Sequence, residues 1–178
     1  MNALSDETKL KIEKTIKNLK ANKMDAYYCD NKEDACNLVK TLIKKGDVIS
    51  SGGSVTLKET GVYDIITSSD YKYLDRAAEG ITPEEVEEVY HKTFSSDVYF
   101  ASSNAITENG ELYNVDGNSN RVAAILYGPK SVILVCGYNK IVKNIDEAID
   151  RVKRIAAPSN TIRSVSYTHL RAHETDQY

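Results

Sequence analysis

Residues 101–121 hold the densest group of side chains able to bind or polarise a small polar molecule. The run contains the carboxylates Glu108, Glu111 and Asp116, the amides Asn104, Asn114, Asn118 and Asn120, and the guanidinium of Arg121. A polar connection of this length is uncommon inside a compact domain unless it is functional or disordered. Ile106, Leu112, Tyr113 and Val115 recur through it, which predicts burial rather than disorder. Glu111 and Asp116 can serve as acid and base if the fold buries them. Taken alone, each reads first as a turn or cap residue. Arg121 can fork onto a carboxylate or phosphate, or pair internally with Glu108, Glu111 or Asp116.

Two further clusters have suitable chemistry. Gly52-Gly53-Ser54 follows a strand-like run and precedes a helix-like one. Paired glycines allow close backbone approach, and a helix start offers free N–H groups to an anion. No G-x-G-x-x-G fingerprint and no G-K-[ST] phosphate loop is present, so the same residues also read as a tight turn. Lys140, in Gly137-Tyr138-Asn139-Lys140, follows an apolar run and can contact an anion or stand in solvent. Of the two cations, Arg121 is expected to matter more for anion binding, because its fork makes directed bonds. His91 lies in a charged helix and is expected to be exposed. No Ser-His-Asp or Cys-His arrangement can be assembled.

The elements that position these groups follow from periodicity and caps. Residues 5–22 predict a helix with Ile12, Ile16 and Leu19 on one stripe, and Asp25–Cys29 predicts a short strand. Asn31–Lys45 carries Ala35, Leu38, Val39, Leu42 and Ile43 at helical spacing and stops at Gly46. Asp47–Ser51 predicts a strand, and Val55–Thr60 a short helix ended by Gly61. Thr82-Pro83-Glu84-Glu85 is a capping box opening a helix whose Val86, Val89 and Tyr90 face the core. Asp97–Ala101 predicts a strand and Ser119–Tyr127 a helix. The polar run itself reads as two turns around a strand at Glu111–Val115. Ser131–Cys136 predicts a fully buried strand. Asn144 and Glu147 cap a final helix with Ile145, Ala148, Ile149 and Val152 on its buried stripe, leading to Pro158. Strands alternating with helices predict an α/β domain of three layers, with a mainly parallel sheet covered by helices. Ligands of such sheets bind beyond the carboxyl ends of the strands. The loops at 50–54, 102–104 and 137–140 should therefore share one rim.

The chain of 178 residues is 41% hydrophobic and 28% charged, with a net charge of −3, which predicts one globular domain. Its basic residues are dispersed, so nucleic acid is not an expected partner. No apolar run spans a membrane and no signal peptide opens the chain. Cys29, Cys36 and Cys136 stand apart, which predicts reduced thiols in the cytoplasm. They lack iron–sulfur spacing, and no cofactor is expected. Residues 164–178 show no clear period and look like translated adaptor sequence. They are read as a non-native or disordered tail, excluded from the domain at 1–163. Their His169/His173 pair has helical metal spacing without the flanking glutamate of a zinc motif, so no metal is expected.

Several segments together resemble the lactate-utilisation (LUD) domain family. They are Ser-Ser-Asn-Ala-Ile-Thr-Glu-Asn-Gly at 102–110, Asn-Val-Asp-Gly-Asn-Ser-Asn-Arg-Val-Ala-Ala at 114–124, Tyr-Gly-Pro-Lys at 127–130 and Gly-Tyr-Asn-Lys-Ile-Val at 137–142. Gly52-Gly53-Ser54 and Arg-Val-Lys-Arg-Ile-Ala-Ala-Pro at 151–158 also look like that family. The resemblance runs from about residue 8 to 163 and implies a fold related to ribose-phosphate isomerases, glucosamine-phosphate deaminases and CoA transferases. It implies a bacterial protein of lactate or hydroxyacid metabolism, with a small anionic metabolite as ligand and iron–sulfur oxidoreductase subunits as candidate partners. A homo-oligomer is a further expectation. Gly52, Gly53, Ser54, Asn104, Asn120, Arg121 and Lys140 would bind the ligand, and Glu111 and Asp116 would do any acid–base work. The alternative is a non-catalytic sensing or assembly subunit on the same fold. Members of this type continue past Pro158 with a further strand, so the domain is expected to lack its native C-terminal part.

Overall fold

The computed structural model describes residues 4–161. Helix α1 (Asp6–Ala21) is capped by Ser5, and α2 (Lys32–Leu42) by Asn31. Strand β1 (Val48–Ser51) leads through Gly52–Ser54 into α3 (Val55–Thr60) and α4 (Val62–Ile66), then β2 (Lys72–Tyr73). Helix α5 (Pro83–Thr93) starts at Thr82 with both hydrogen bonds of the capping box formed. Strands β3 (Val98–Ala101), β4 (Ala105–Thr107) and β5 (Leu112–Tyr113) follow, then α6 (Asn120–Tyr127) and β6 (Ser131–Leu134). A single 3-10 turn, Tyr138–Lys140, precedes β7 (Ile141–Val142) and α7 (Ile145–Arg151).

The main sheet has the order β2-β1-β3-β6, and every pairing in it is parallel. Alternation along β3 sends Val98 and Phe100 to one face and Tyr99 and Ala101 to the other. On the first face, Val39, Ile43, Leu57, Val62 and Ile66 from α2, α3 and α4 join Ile49 and Phe100 in the larger core. On the second, Ala124 and Ile125 of α6 cover Tyr99, Ala101, Val132 and Leu134. Helix α5 reaches that face through a 2.7 Å hydrogen bond shared by the Thr93 and Ser50 hydroxyls. The domain is thus three-layered α/β.

A second sheet, β5-β4-β7, hangs from the first by Ser102-Ser103-Asn104. It pairs β4 with β5 antiparallel and with β7 parallel. Ala148 of α7 packs on Ala105 and Val142 there. The hairpin tip docks on α1: the Asn18 amide donates to the Glu108 carbonyl at 2.7 Å, and Lys14 pairs with the Glu108 carboxylate at 2.8 Å.

Several expectations are corrected. Asp25–Cys29 forms no ladder among the described residues, and Tyr27 and Tyr28 are exposed. The segment has strand-forming side chains but meets no sheet edge. The strand at 131–136 is shorter, ends at Leu134, and is the sheet's edge, so its side chains are only partly buried. Val115 is exposed, since it lies past the end of β5. Two short strands, β2 and β4, and helix α4 carry too few residues for a period to show. The last helix does not end before Pro158. A wide π turn at Val152–Ala156 intervenes, and helical backbone continues to residue 161. Pro158 lacks an N–H and its ring crowds the carbonyl four residues back, at Arg154 inside that wide turn. The tail and the His169/His173 pair lie outside the described residues.

Candidate functional site at the carboxyl rim

Strands β1, β3 and β6 are neighbours and parallel, so their carboxyl ends fall on one edge. The three connections that leave them meet at Lys140. Its ammonium donates to the Ser102 hydroxyl at 2.6 Å, after β3, and to the Thr56 hydroxyl at 3.3 Å, in the first turn after Gly52–Ser54. The 3-10 turn after β6 delivers Lys140 itself to this position. Among the described residues no carboxylate forms an ion pair with it. Burial pulls the Lys140 pKa below the usual lysine range. Arg151 and Arg121 lower it further, while Cys136 and Glu59 oppose the shift. A cation so placed suits an incoming anion, and its reduced hold on the proton favours acid–base exchange more than a surface lysine would.

Cys136 lies in the same group. Its sulfur accepts the Ser103 backbone N–H at 3.4 Å and sits 3.4 Å from the Ser102 hydroxyl. Arg151 of α7 donates to the Asn104 carbonyl, and burial lowers its pKa. Cys136, Ser102, Thr56 and Arg151 were not among the residues singled out from sequence. Ser102 lies in the 102–104 loop and Arg151 in the family-like segment at 151–158, but neither spacing marks them as neighbours; the sheet topology brings the four together.

Arg121 occupies a different niche beside this one. Its Nε donates to Asp116 Oδ1 at 2.8 Å. One terminal nitrogen donates to the Ser102 carbonyl at 2.9 Å and the Asn114 side chain at 2.7 Å. The other donates to the Asn104 side chain at 2.7 Å and the Val115 carbonyl at 3.1 Å. A guanidinium has five N–H bonds, and these five acceptors engage them all. Asp116 also accepts the Val122 N–H at 2.7 Å, capping α6 from three residues before its N-cap Ser119. The internal partner of Arg121 is therefore Asp116. Glu108 is held by Lys14, and Glu111 binds the Thr107 hydroxyl at 2.6 Å at the hairpin tip.

The remaining sequence-chosen residues divide accordingly. Gly52 lies against Arg121: a methyl group at Gly52 would stand 3.4 Å from the arginine stem and 2.8 Å from the Tyr99 hydroxyl. Gly53 is exposed, and Ser54 caps α3 by accepting the Leu57 N–H. Asn104 is locked between Arg121 and Val115, whose N–H it accepts at 2.9 Å. Asn120 faces a crevice with Tyr99 and Arg76. Gly52, Asn104, Arg121 and Lys140 are thus brought to one rim. Among the described residues no hydrogen bond brings Glu111 there; it binds Thr107 at the hairpin tip. Among the described residues no group of histidines, cysteines and carboxylates is placed to hold a metal ion, and no helix is long and apolar enough to cross a membrane.

A mainly parallel sheet with helices on both faces places the chain in the broad class of three-layer α/β domains. Within that class the chain belongs to the LUD domain family, whose model matches residues 12–173. That span passes beyond Pro158 and takes in residues 164–173. No curated protein matches the chain.

Proposed function

We propose that this LUD-domain chain binds a small anionic metabolite, hydroxyacid or sugar-phosphate-like, at the carboxyl edge of its main sheet, in bacterial lactate or hydroxyacid metabolism. The observation that supports this reading is Lys140. It is a partly buried ammonium held by two neutral hydroxyls, and among the described residues no carboxylate forms an ion pair with it. Burying a charge is costly unless it is paired, so an incoming anion would be favoured there. Ser102, Thr56 and Arg151 would orient the ligand. Arg121 and Asp116 would act one step back, holding Ser102 and Asn104 in place. Glu111 would serve the hairpin rather than the ligand.

Thermal-shift measurements on the full chain test this, using lactate, pyruvate, sugar phosphates, CoA and nicotinamide nucleotides. A ligand that binds only the folded state raises the melting temperature by mass action. At least one small anion should do so, and Lys140→Met should remove the shift. The reading fails if no anion stabilises the chain, or if Lys140→Met responds as the native protein does.

A second reading, a non-catalytic assembly subunit, draws on α6. Leu126 and Tyr127 at its end are 78% and 90% exposed. Large apolar side chains in that position suit a protein contact, with a second copy of the chain or an iron–sulfur subunit as candidates.

A further inference from the structure

The main sheet has two edges, and they are finished differently. Strand β2 closes one edge with the short pair Lys72–Tyr73, of which Lys72 is exposed and charged. A short, charged edge resists further pairing. Strand β6 closes the other edge, and no charged residue or proline occurs from Ser131 to Cys136. In its ladder with β3, the Asp97 carbonyl accepts the Ser131 N–H at 3.1 Å and the Ala101 carbonyl accepts the Val135 N–H at 2.9 Å. Alternate residues of a strand turn their backbone groups to opposite sides, so Ser131, Ile133 and Val135 face β3. Val132 and Leu134 direct their N–H and C=O groups away from it, and among the described residues no further strand meets them.

The flanks of this open edge are apolar. Val132 and Leu134 pack on the α6 side, Ile133 and Val135 on the larger core, and all four are only partly buried. Leu126 and Tyr127, where the chain leaves α6 and turns towards β6, stand largely in solvent. Lys130, the first charge before the strand, is paired with Asp97 of its own chain at 2.7 Å. An uncharged edge with apolar residues on both faces is a template for another strand.

We propose that β6 pairs antiparallel with β6 of a second copy of this chain, about a two-fold axis at Ile133. That axis sets Val132 opposite Leu134 of the second copy, and Leu134 opposite its Val132. Both are the outward-facing residues, so each pair exchanges both N–H···O bonds. Ile133 meets its own copy at the axis, and Lys130 falls opposite Cys136 of the second copy, so like charges are not brought together. Donors, acceptors and apolar side chains are thus self-complementary in one register, which favours a second copy over an unrelated strand. The contact is isologous and closes on itself, using up the edge of both sheets. Leu126 and Tyr127 lie beside the seam and would be covered by it. The proposal does not depend on the anion reading, and it gives the assembly reading a defined occupant and register.

Sedimentation of the full chain over a dilution series tests it. The native chain should show a reversible monomer–dimer equilibrium, and the Val132 and Leu134 amides should gain protection from exchange as the dimer fills. Val132→Pro removes one outward donor from each copy and spares the β3 ladder, since proline is tolerated on the open side of an edge strand. It should weaken the dimer about a hundredfold, roughly tenfold for each hydrogen bond lost. Ser131→Lys changes only an exposed side chain, so the test survives if the proline variant folds poorly. It should weaken the dimer about tenfold by setting a charge against the apolar edge of the second copy. Lys140→Met should leave the dimer unchanged, so this proposal and the anion reading can fail separately. The pairing is overturned if the chain stays monomeric at every concentration or forms only open-ended aggregates. It is also overturned if Val132→Pro and Ser131→Lys dimerise as tightly as the native chain, or if the Val132 and Leu134 amides are equally protected in the monomer.

Discussion

Arg121 and Lys140 stand on the same rim with the same sign of charge, yet their neighbours differ: Arg121 is ion-paired, and among the described residues Lys140 is not. Arg121 is ion-paired to Asp116, and both side chains are nearly buried. Removing it strands that carboxylate and leaves the Ser102 and Val115 carbonyls without their donor. Arg121→Ala should therefore cost about 3–5 kcal/mol of stability, measured by urea unfolding, because breaking a buried pair leaves an uncompensated charge. A loss below about 1 kcal/mol would mean the loop does not depend on it. Lys140 predicts a pH effect instead. Its folded pKa lies below the unfolded value of about 10.4. Between the two values the unfolded chain binds more protons, so this residue's contribution makes stability rise with pH across that window. Below the window its penalty is constant. Unfolding in urea from about pH 8 to 10.5 should show the rise in the native chain and a flatter profile in Lys140→Met. Identical slopes would count against the burial of this ammonium.

At the scale of elements, caps and turns determine where segments begin and how they dock. The Thr82 side chain accepts the Glu85 N–H, and the Glu85 carboxylate accepts the Thr82 N–H at 2.8 Å. Thr82→Ala should cost about 1 kcal/mol and show as faster amide exchange in the first turn of α5. The β4–β5 hairpin is a sharper case. Gly110 has φ +82°, and a Cβ there would meet the backbone of Asn18 and Leu19 of α1 at 2.6–2.7 Å. Gly110→Ala should cost at least about 1–2 kcal/mol from the left-handed backbone alone. It should also lift the tip from α1, read as lost protection of the 108–110 amides. Caps of this kind were legible in the sequence because they are local. Ser5, Asn31, Thr82 and Asn144 sit within four residues of the N–H they accept. The docking of Gly110 on α1 was not legible, because its partners lie about ninety positions away.

For the whole molecule, Phe100 at the centre of β3 links the layers. It is fully buried among residues of the main sheet and of α2, α3 and α4. Phe100→Ala should cost about 3–5 kcal/mol through lost burial and the cavity left behind. If the domain unfolds as one unit, circular dichroism and tyrosine signals should shift together to a lower midpoint. A variant that loses only one signal would show that the two sheets unfold separately. The position of Phe100 explains why the rim is stable enough to hold partly buried charges. The strands that end there are anchored by core on both faces, so Ser102 and Gly52 start from fixed points.

Taken alone, the amino-acid sequence determined the order of the main elements, the three-layer class and the family. Those rest on helical and strand periods, short-range caps and ordered motifs, all of which are written within a few residues of each other. It also determined that residues around 52, 104, 121 and 140 carry suitable chemistry. Only the tertiary structure decided what each cation touches. Whether an arginine is free depends on acceptors from three separate segments, and whether a lysine is neutralised depends on carboxylates that must come close in space. The placing of Lys140 between Ser102 and Thr56, and the bonds from Arg121 to Ser102 and Asn104, are consequences of parallel strand order. Strand order brings residues tens of positions apart to within hydrogen-bond distance, and no local pattern encodes those distances.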